Sequence, residues 1–210
     1  MTESLAARQL MVDSQLRRRG ISDPRVLEAM LRVPRERFVP EPLRAEAYED
    51  HPVPIGEGQT ISQPYVVAVM LELLALQPGD KVLEVGAGSG YVTALLAGLA
   101  AEIFSVERNP SLAETAGRVI LELGYSNARI ILGDGTLGLP AQAPFDAILV
   151  SAVASQTPPV LMAQLSRVGR MVIPIGTAES QQLQLIRMNQ GKPETSMQGA
   201  VRFVPLIAGG

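Results

Sequence analysis

Val82-Leu83-Glu84-Val85-Gly86-Ala87-Gly88-Ser89-Gly90 is an apolar run that ends in three alternating glycines. It passes at once into the amphipathic stretch Tyr91-Val92-Thr93-Ala94-Leu95-Leu96-Ala97. The reading is strand, tight turn, helix. Glycine at these positions lets the backbone turn sharply and lets a ligand approach the main chain without meeting a Cβ. The start of the helix presents unpaired N–H groups and a partial positive charge to whatever lies in the turn. The stretch therefore predicts a site for a nucleotide-like cofactor.

Spacing narrows the cofactor. The dinucleotide fingerprint G-x-G-x-x-G needs glycine at position 91, where Tyr91 stands. G-x-G-x-G after an acid-bearing strand resembles the first motif of the Rossmann-like S-adenosylmethionine-dependent methyltransferases. That resemblance implies Glu84, Gly86, Gly88 and Gly90 as cofactor contacts. Two further acids agree. Ala101–Glu107 reads as the next strand and ends in a carboxylate roughly 20 residues after the glycines, where a ribose-binding acid is expected. Ala128–Leu132 reads as a third strand and runs into Gly133-Asp134-Gly135, where Asp134 can take an adenine amino group. The blander alternatives are that Glu107 caps the helix beginning near Pro110 and that Asp134 makes a turn. Either is competitive for one residue alone, and much weaker for three strands that each end in the right group.

Composition sets limits. A chain of 210 residues with 47% hydrophobic and 19% charged residues suits one α/β domain with a real core. A net charge of −3 argues against nucleic acid as the main partner, because neutralising phosphates needs a basic face. With no Cys and one His, neither thiolate chemistry nor the usual zinc sites can be built, so no metal is expected. The first residues lack a basic n-region and an apolar h-region, and no stretch is long enough to span a bilayer; a cytoplasmic protein with no membrane partner is expected.

Along the chain, residues 3–19 predict a helix ending in Arg17-Arg18-Arg19 and closed by Gly20, with the arginines complementing the helix dipole. Asp23-Pro24 opens a second helix as cap and first-turn proline. Pro34 to Gly58 reads as an extended, loop-rich connection beside the cofactor fold. Helices are expected at 64–75, about 90–99, 110–123 and 158–165. Further strands are expected at 145–150, at 170–176, and at about 181–188 and 200–206 around the Asn189–Lys192 turn. The sum is one domain over 1–210: N-terminal helices and a substrate and cofactor loop (1–63), a cofactor-binding half (64–150) and a C-terminal half (151–210). Its fold class is α/β, a doubly wound, mostly parallel sheet with a C-terminal antiparallel hairpin and an N-terminal helical extension.

Gly58-Gln59-Thr60-Ile61-Ser62-Gln63-Pro64 puts hydroxyls and amides, without a strong base, at a helix start beside the pocket. In isolation this favours simple N-capping by Ser62 or Thr60. Its context points elsewhere. Phe38-Val39-Pro40, Pro54-Ile55-Gly56, Gly58 to Pro64, Val82 to Tyr91, Val106-Glu107-Arg108, Gly133-Asp134-Gly135, Ala143 to Ile148, Ile173-Pro174-Ile175-Gly176 and Val201 to Leu206 occur in the order found in one family. The chain resembles the protein-L-isoaspartate O-methyltransferases, and the resemblance spans nearly all of 5–206. It departs from the usual pattern at Ser151–Ser155 and at Val168.

The resemblance implies methyl transfer from S-adenosyl-L-methionine to the α-carboxylate of isoaspartyl residues in damaged proteins and peptides, leaving S-adenosyl-L-homocysteine. It implies Ser62 as the active-site serine and Thr60, Ile61, Glu107, Arg108, Asp134 and Gly135 as cofactor residues. It also implies Gln181 (or its neighbour Gln182) in the C-terminal lobe, and acceptor contacts at Ile173 and Gly176. Such a carboxylate has a pKa of roughly 3.5 and needs no general base, which fits the absence of a His or paired-acid dyad. His51, alone in a loop, is expected at the surface. Two rival readings remain: a methyltransferase acting on a small molecule or RNA, and a non-catalytic binding protein. The acidic balance and the T-I-S-Q-P segment oppose the first, and the intact Ser62, Glu107 and Asp134 oppose the second.

Overall fold

The computed structural model describes residues 3–209. From the N-terminal side, α1 (Glu3–Leu10) and α2 (Pro24–Arg32) precede a small antiparallel hairpin of β1 (Val53–Gly56) and β2 (Gln59–Ile61). Then follow α3 (Pro64–Leu74), β3 (Lys81–Val85), α4 (Tyr91–Ala97), β4 (Glu102–Glu107), α5 (Pro110–Glu122) and β5 (Ala128–Leu132). The C-terminal half holds β6 (Phe145–Val150), α6 (Pro159–Met162), β7 (Leu165–Gly176), β8 (Gln181–Asn189) and β9 (Lys192–Ala200).

Strands β3 to β9 form one sheet in the order β5-β4-β3-β6-β7-β8-β9. The first five in that order run parallel, and β8 and β9 close it antiparallel. From β3 the chain goes to β4 on one side and later to β6 on the other. The switch point, where open α/β sheets bind ligands, therefore lies over the carboxyl end of β3. Both faces of the sheet are covered. Val82 packs into the core under α2, α3 and α4, whereas Leu83 and Val85 pack with Phe104, Val106 and Ile148 on the opposite face. This double burial explains the near-continuous apolar runs of β3 and β6. Each aliphatic side chain so buried contributes about 1.5–3 kcal/mol.

Local chemistry sets the element ends. Gly20 takes φ +98 and closes a helical stretch that continues beyond α1 as a π turn and a 3-10 turn through Arg19. Asp23 accepts the Arg25 N–H at 2.8 Å and caps α2. Asn109 accepts the Ser111 and Leu112 N–H groups at 2.9 and 3.2 Å and caps α5. Arg8 staples α1 to α2 and to the loop that follows: it donates to the Tyr48 hydroxyl at 3.0 Å and to the Leu31 and Arg32 carbonyls at 3.1 Å.

Three expectations are corrected. The connection from Pro34 to Gly58 is not simply extended; it holds 3-10 turns at Arg35–Phe38 and Glu41–Glu46 before the hairpin. The helix expected at 158–165 shrinks to the single turn of α6, and β7 begins at Leu165. The last strand lies at 192–200, not 200–206. Strand β9 is an exposed edge of mostly polar residues, so no apolar alternation marks it. The apolar residues of 201–206 leave the sheet and turn inward, with the Val153 N–H on the Val204 carbonyl and the Leu206 N–H on the Val153 carbonyl, both at 2.8 Å.

Candidate active site

A cleft of about 410 Å³ opens at the carboxyl ends of β3 and β4. Its volume falls in the range of small-molecule sites. Among the segments that wall it are the glycine turn after β3, Thr60 to Ser62 at the end of the hairpin, the end of β4 at Glu107, and Val204 to Ile207. Gly86 and Gly88 carry positive φ, and the Gly86 N–H reaches the Val106 carbonyl at 2.9 Å. The turn is thereby tied to β4, and its backbone faces the cleft.

Glu107 ends β4 and is 6% exposed. One carboxylate oxygen accepts the Gly88 N–H at 2.8 Å and the other the Asn109 N–H at 2.9 Å. A carboxylate has about four acceptor positions, so two remain for ligand hydroxyls. Glu107 thus stiffens both turns around the cleft, while the capping of α5 falls to Asn109. Gly135 sits so close to β3 that a Cβ there would lie 2.6 Å from Val85 Cγ1. Glycine is required at that position.

Ser62 is half-buried and lines the cleft. It does not cap α3: Gln63 occupies the cap position, without a side-chain bond to the helix. Among the described residues the Ser62 hydroxyl makes no hydrogen bond, while its carbonyl accepts Arg35 Nη2 at 2.8 Å. Thr60, Ile61, Gly86, Gly88, Glu107, Arg108 and Gly135 share the same cleft.

Other expected site residues lie elsewhere. Glu84 is fully buried beneath the glycine turn, where one of its oxygens accepts both the Thr93 hydroxyl at 2.6 Å and the Ser105 hydroxyl at 2.5 Å. It joins β3, β4 and α4 and does not reach the cleft. Burial pushes its carboxyl from 4.5 up to about 7, with the Glu107 charge adding and the two hydroxyls opposing. Gly90 serves helix packing, since a Cβ on it would lie 3.1 Å from Ala116 Cβ. Asp134 caps its own turn, accepting the Thr136 N–H at 2.8 Å and hydroxyl at 2.6 Å, and takes the Gly209 N–H at 2.7 Å on its other oxygen. These bonds hold its carboxyl below the usual range, the Thr136 hydroxyl contributing most. Arg108 Nε donates to the Gly209 carbonyl at 3.0 Å, so the C-terminal segment is gripped from both sides.

Ile173 is fully buried and Gly176 turns the chain towards β8, so neither lines the cleft. Their backbone is already engaged: the Ala154 N–H bonds to the Pro174 carbonyl at 3.0 Å and the Gly176 N–H to the Ala154 carbonyl at 2.9 Å. Of the two glutamines, Gln181 is buried and Gln182 exposed. Gln181 holds Phe203, accepting its N–H at 2.7 Å and donating to its carbonyl at 3.2 Å. It thus anchors the segment whose next residues wall the cleft. His51 is at the surface, its ring nitrogens within 3.0 Å of Glu49 and 2.9 Å of the Pro52 carbonyl.

Ser151, Ala152 and Val204 to Ile207 also line the cleft, residues to which the sequence assigned no contact. The signal for the last group was the apolar run of 201–206, read as a strand. Among the described residues no cluster of three His, Cys, Asp or Glu can hold a metal ion, and no helix is long and apolar enough to cross a membrane.

Comparison with known proteins identifies the family. Residues 6–209 match the family model for protein-L-isoaspartate(D-aspartate) O-methyltransferase. The protein-L-isoaspartate O-methyltransferase 2 of Marinobacter nauticus is 54% identical over 202 residues, covering 95% of this chain and 92% of its own. The protein-L-isoaspartate O-methyltransferase of Koribacter versatilis is 52% identical over 200 residues, covering 95% and 90%. Among solved structures, a Plasmodium falciparum protein assigned to the same enzyme class, in complex with S-adenosyl-L-homocysteine, superimposes with a TM-score of 0.84 at 29% identity over 99% of both chains. A match running from residue 6 to residue 209 takes in the glycine turn, Glu107, the Ser62 segment and the inward-turned tail together, and the chain belongs to the protein-L-isoaspartate(D-aspartate) O-methyltransferase family.

Proposed function

We propose that this cleft transfers the methyl group of S-adenosyl-L-methionine to the α-carboxylate of L-isoaspartyl residues in proteins and peptides, with Ser62 holding the acceptor. The neighbouring backbone amide nitrogen then attacks the methyl ester, losing methanol and closing a succinimide, which water opens to return part of the chain to normal aspartate. The donor set fits the cofactor. Glu107 offers free acceptor positions for ribose hydroxyls at the end of β4, and the glycine turn offers a backbone surface. Thr60 and Ile61 border the same cleft. S-adenosyl-L-methionine supplies an electrophilic methyl group on a sulfonium.

The chain's own residues have little proton chemistry to do. The carboxylates bordering the cleft are Glu57 and Glu107, and no histidine borders it among the described residues. An α-carboxylate with a pKa of roughly 3.5 is already a nucleophile at neutral pH. What remains is alignment and exclusion of water, which can supply on the order of 7–11 kcal/mol. The observation that carries the reading is the Ser62 hydroxyl, uncommitted among the described residues, at a residue that lines the same cleft as the glycine turn. It can donate to a carboxylate oxygen and orient it. The free edges of the β1–β2 hairpin are suited to hold an extended acceptor peptide through main-chain bonds.

The test is radiolabelled methyl transfer to an isoaspartyl peptide beside its normal aspartyl twin, followed across neutral pH. Transfer to the isoaspartyl peptide alone, at a rate flat with pH, is expected. Equal transfer to both, or a rate climbing around the histidine pKa of about 6.5, refutes the reading.

A further inference from the structure

Arg35 has no exposed surface. Among the described residues it forms no ion pair, and its Nη1 has no hydrogen-bond partner. Its other contacts are two carbonyls, Ala47 at 2.6 Å from Nε and Ser62 at 2.8 Å from Nη2. The guanidinium lies 4.8 Å from the ring centroid of Tyr91, the first residue of α4 and part of the cleft wall. Burying a charge without a counter-charge is costly, and an apolar side chain of similar volume would be cheaper. Burial draws the Arg35 pKa down while Tyr91 and Tyr48 oppose it, and a guanidinium stays charged at neutral pH.

The geometry points to Arg35 as a positioning residue for the acceptor: it fixes the backbone of Ser62, and its unpaired charge favours an anion in the adjoining cleft. This rests on the carboxylate acceptor proposed above. The only cation bordering the cleft among the described residues is Arg108, whose Nε is committed to Gly209 at the far end. Arg35 does not border the cleft, so it donates no hydrogen bond to the acceptor. Its planar fork holds two carbonyls from different segments while its charge lies over the Tyr91 ring, a combination that an ammonium cannot reproduce. The charge distinguishes a carboxylate from the neutral amides that crowd any peptide. It does not distinguish among carboxylates, a task left to Ser62 and the shape of the cleft. Even at a protein-like dielectric, a unit charge several ångströms away is worth about tenfold in affinity.

The experiment compares wild type, Arg35→Lys and Arg35→Met, each loaded with S-adenosyl-L-homocysteine. Calorimetry measures binding of an isoaspartyl peptide and of its α-carboxamide counterpart. Wild type is expected to prefer the carboxylate. Arg35→Met is expected to lose about tenfold of that preference with cofactor affinity unchanged. Arg35→Lys is expected to keep the preference but to show a reduced kcat. A carboxylate preference that survives in Arg35→Met, with only a lower unfolding temperature, overturns the proposal. If Arg35→Met fails to fold, Arg35→Lys decides: a wild-type kcat refutes the proposal and a reduced kcat at unchanged KM supports it. Wild-type protein that binds neither peptide overturns the acceptor reading itself.

Discussion

Replacing Glu84 by Gln isolates one buried charge and its cost. The Glu84 carboxyl ionises at about 7 in the folded protein against 4.5 in the free residue, because burial disfavours the charged form. Between those values the native state holds a proton that the unfolded chain has lost. Stability from this group is therefore complete below pH 4.5 and declines as pH rises through 7. At about 1.4 kcal/mol per unit the interval corresponds to about 3 kcal/mol. The amide of Glu84→Gln keeps an oxygen for the Thr93 and Ser105 hydroxyls, so the triangle among β3, β4 and α4 survives. Its NH2 takes the place of the carboxylate oxygen that has no partner among the described residues, at a fixed cost of about 1–3 kcal/mol at any pH. Urea unfolding of both proteins from pH 4.5 to 8 should show the variant gaining on wild type by about 3 kcal/mol as pH rises. A stability difference that stays flat over this range would mean that Glu84 is ionised throughout, and the burial argument would fail.

Ser62→Ala removes one hydrogen bond to a charged group, worth roughly 1.5–3 kcal/mol, so methyl transfer should fall about ten- to a hundredfold. Calorimetric affinity for S-adenosyl-L-homocysteine should stay as in wild type; an unchanged rate would leave the hydroxyl without a role in alignment. Glu107→Ala removes the acceptors of the Gly88 and Asn109 N–H groups as well as the proposed ribose contact. S-adenosyl-L-homocysteine binding should weaken at least tenfold and the unfolding midpoint should drop; full affinity with lowered stability would reduce Glu107 to scaffolding.

Much of the architecture was legible because parallel strands buried on both faces leave apolar runs of strand length, and because glycine, proline and asparagine mark their boundaries. Gly86 to Gly90, Asn109-Pro110 and Asp23-Pro24 all mark real turns or caps. What stayed hidden depends on partners distant in sequence. Glu84 shares strand parity with Val82, whose side chain packs beneath the helices. Parity thus already placed the carboxylate under the turn, although its chemistry suggested the cofactor. Ile173 and Gly176 looked available until the bonds from Ala154 and β8 occupied their backbone. Strand β9 carries no apolar face, because its only duty is to pair with β8. The inward course of 201–206 depends on Gln181 gripping Phe203, a contact across 22 positions that no local pattern encodes.

Thr60, Ile61 and Ser62 are consecutive, and they border both the proposed cofactor wall and the proposed acceptor position. Two ligands that share three successive peptide units cannot bind independently. If the cofactor immobilises Thr60 and Ile61, it meets part of the ordering cost at Ser62 before the acceptor arrives. By linkage the acceptor then tightens the cofactor by the same factor. On such a frame each ligand prepares the site for the other, and the coupling reads the same from either side.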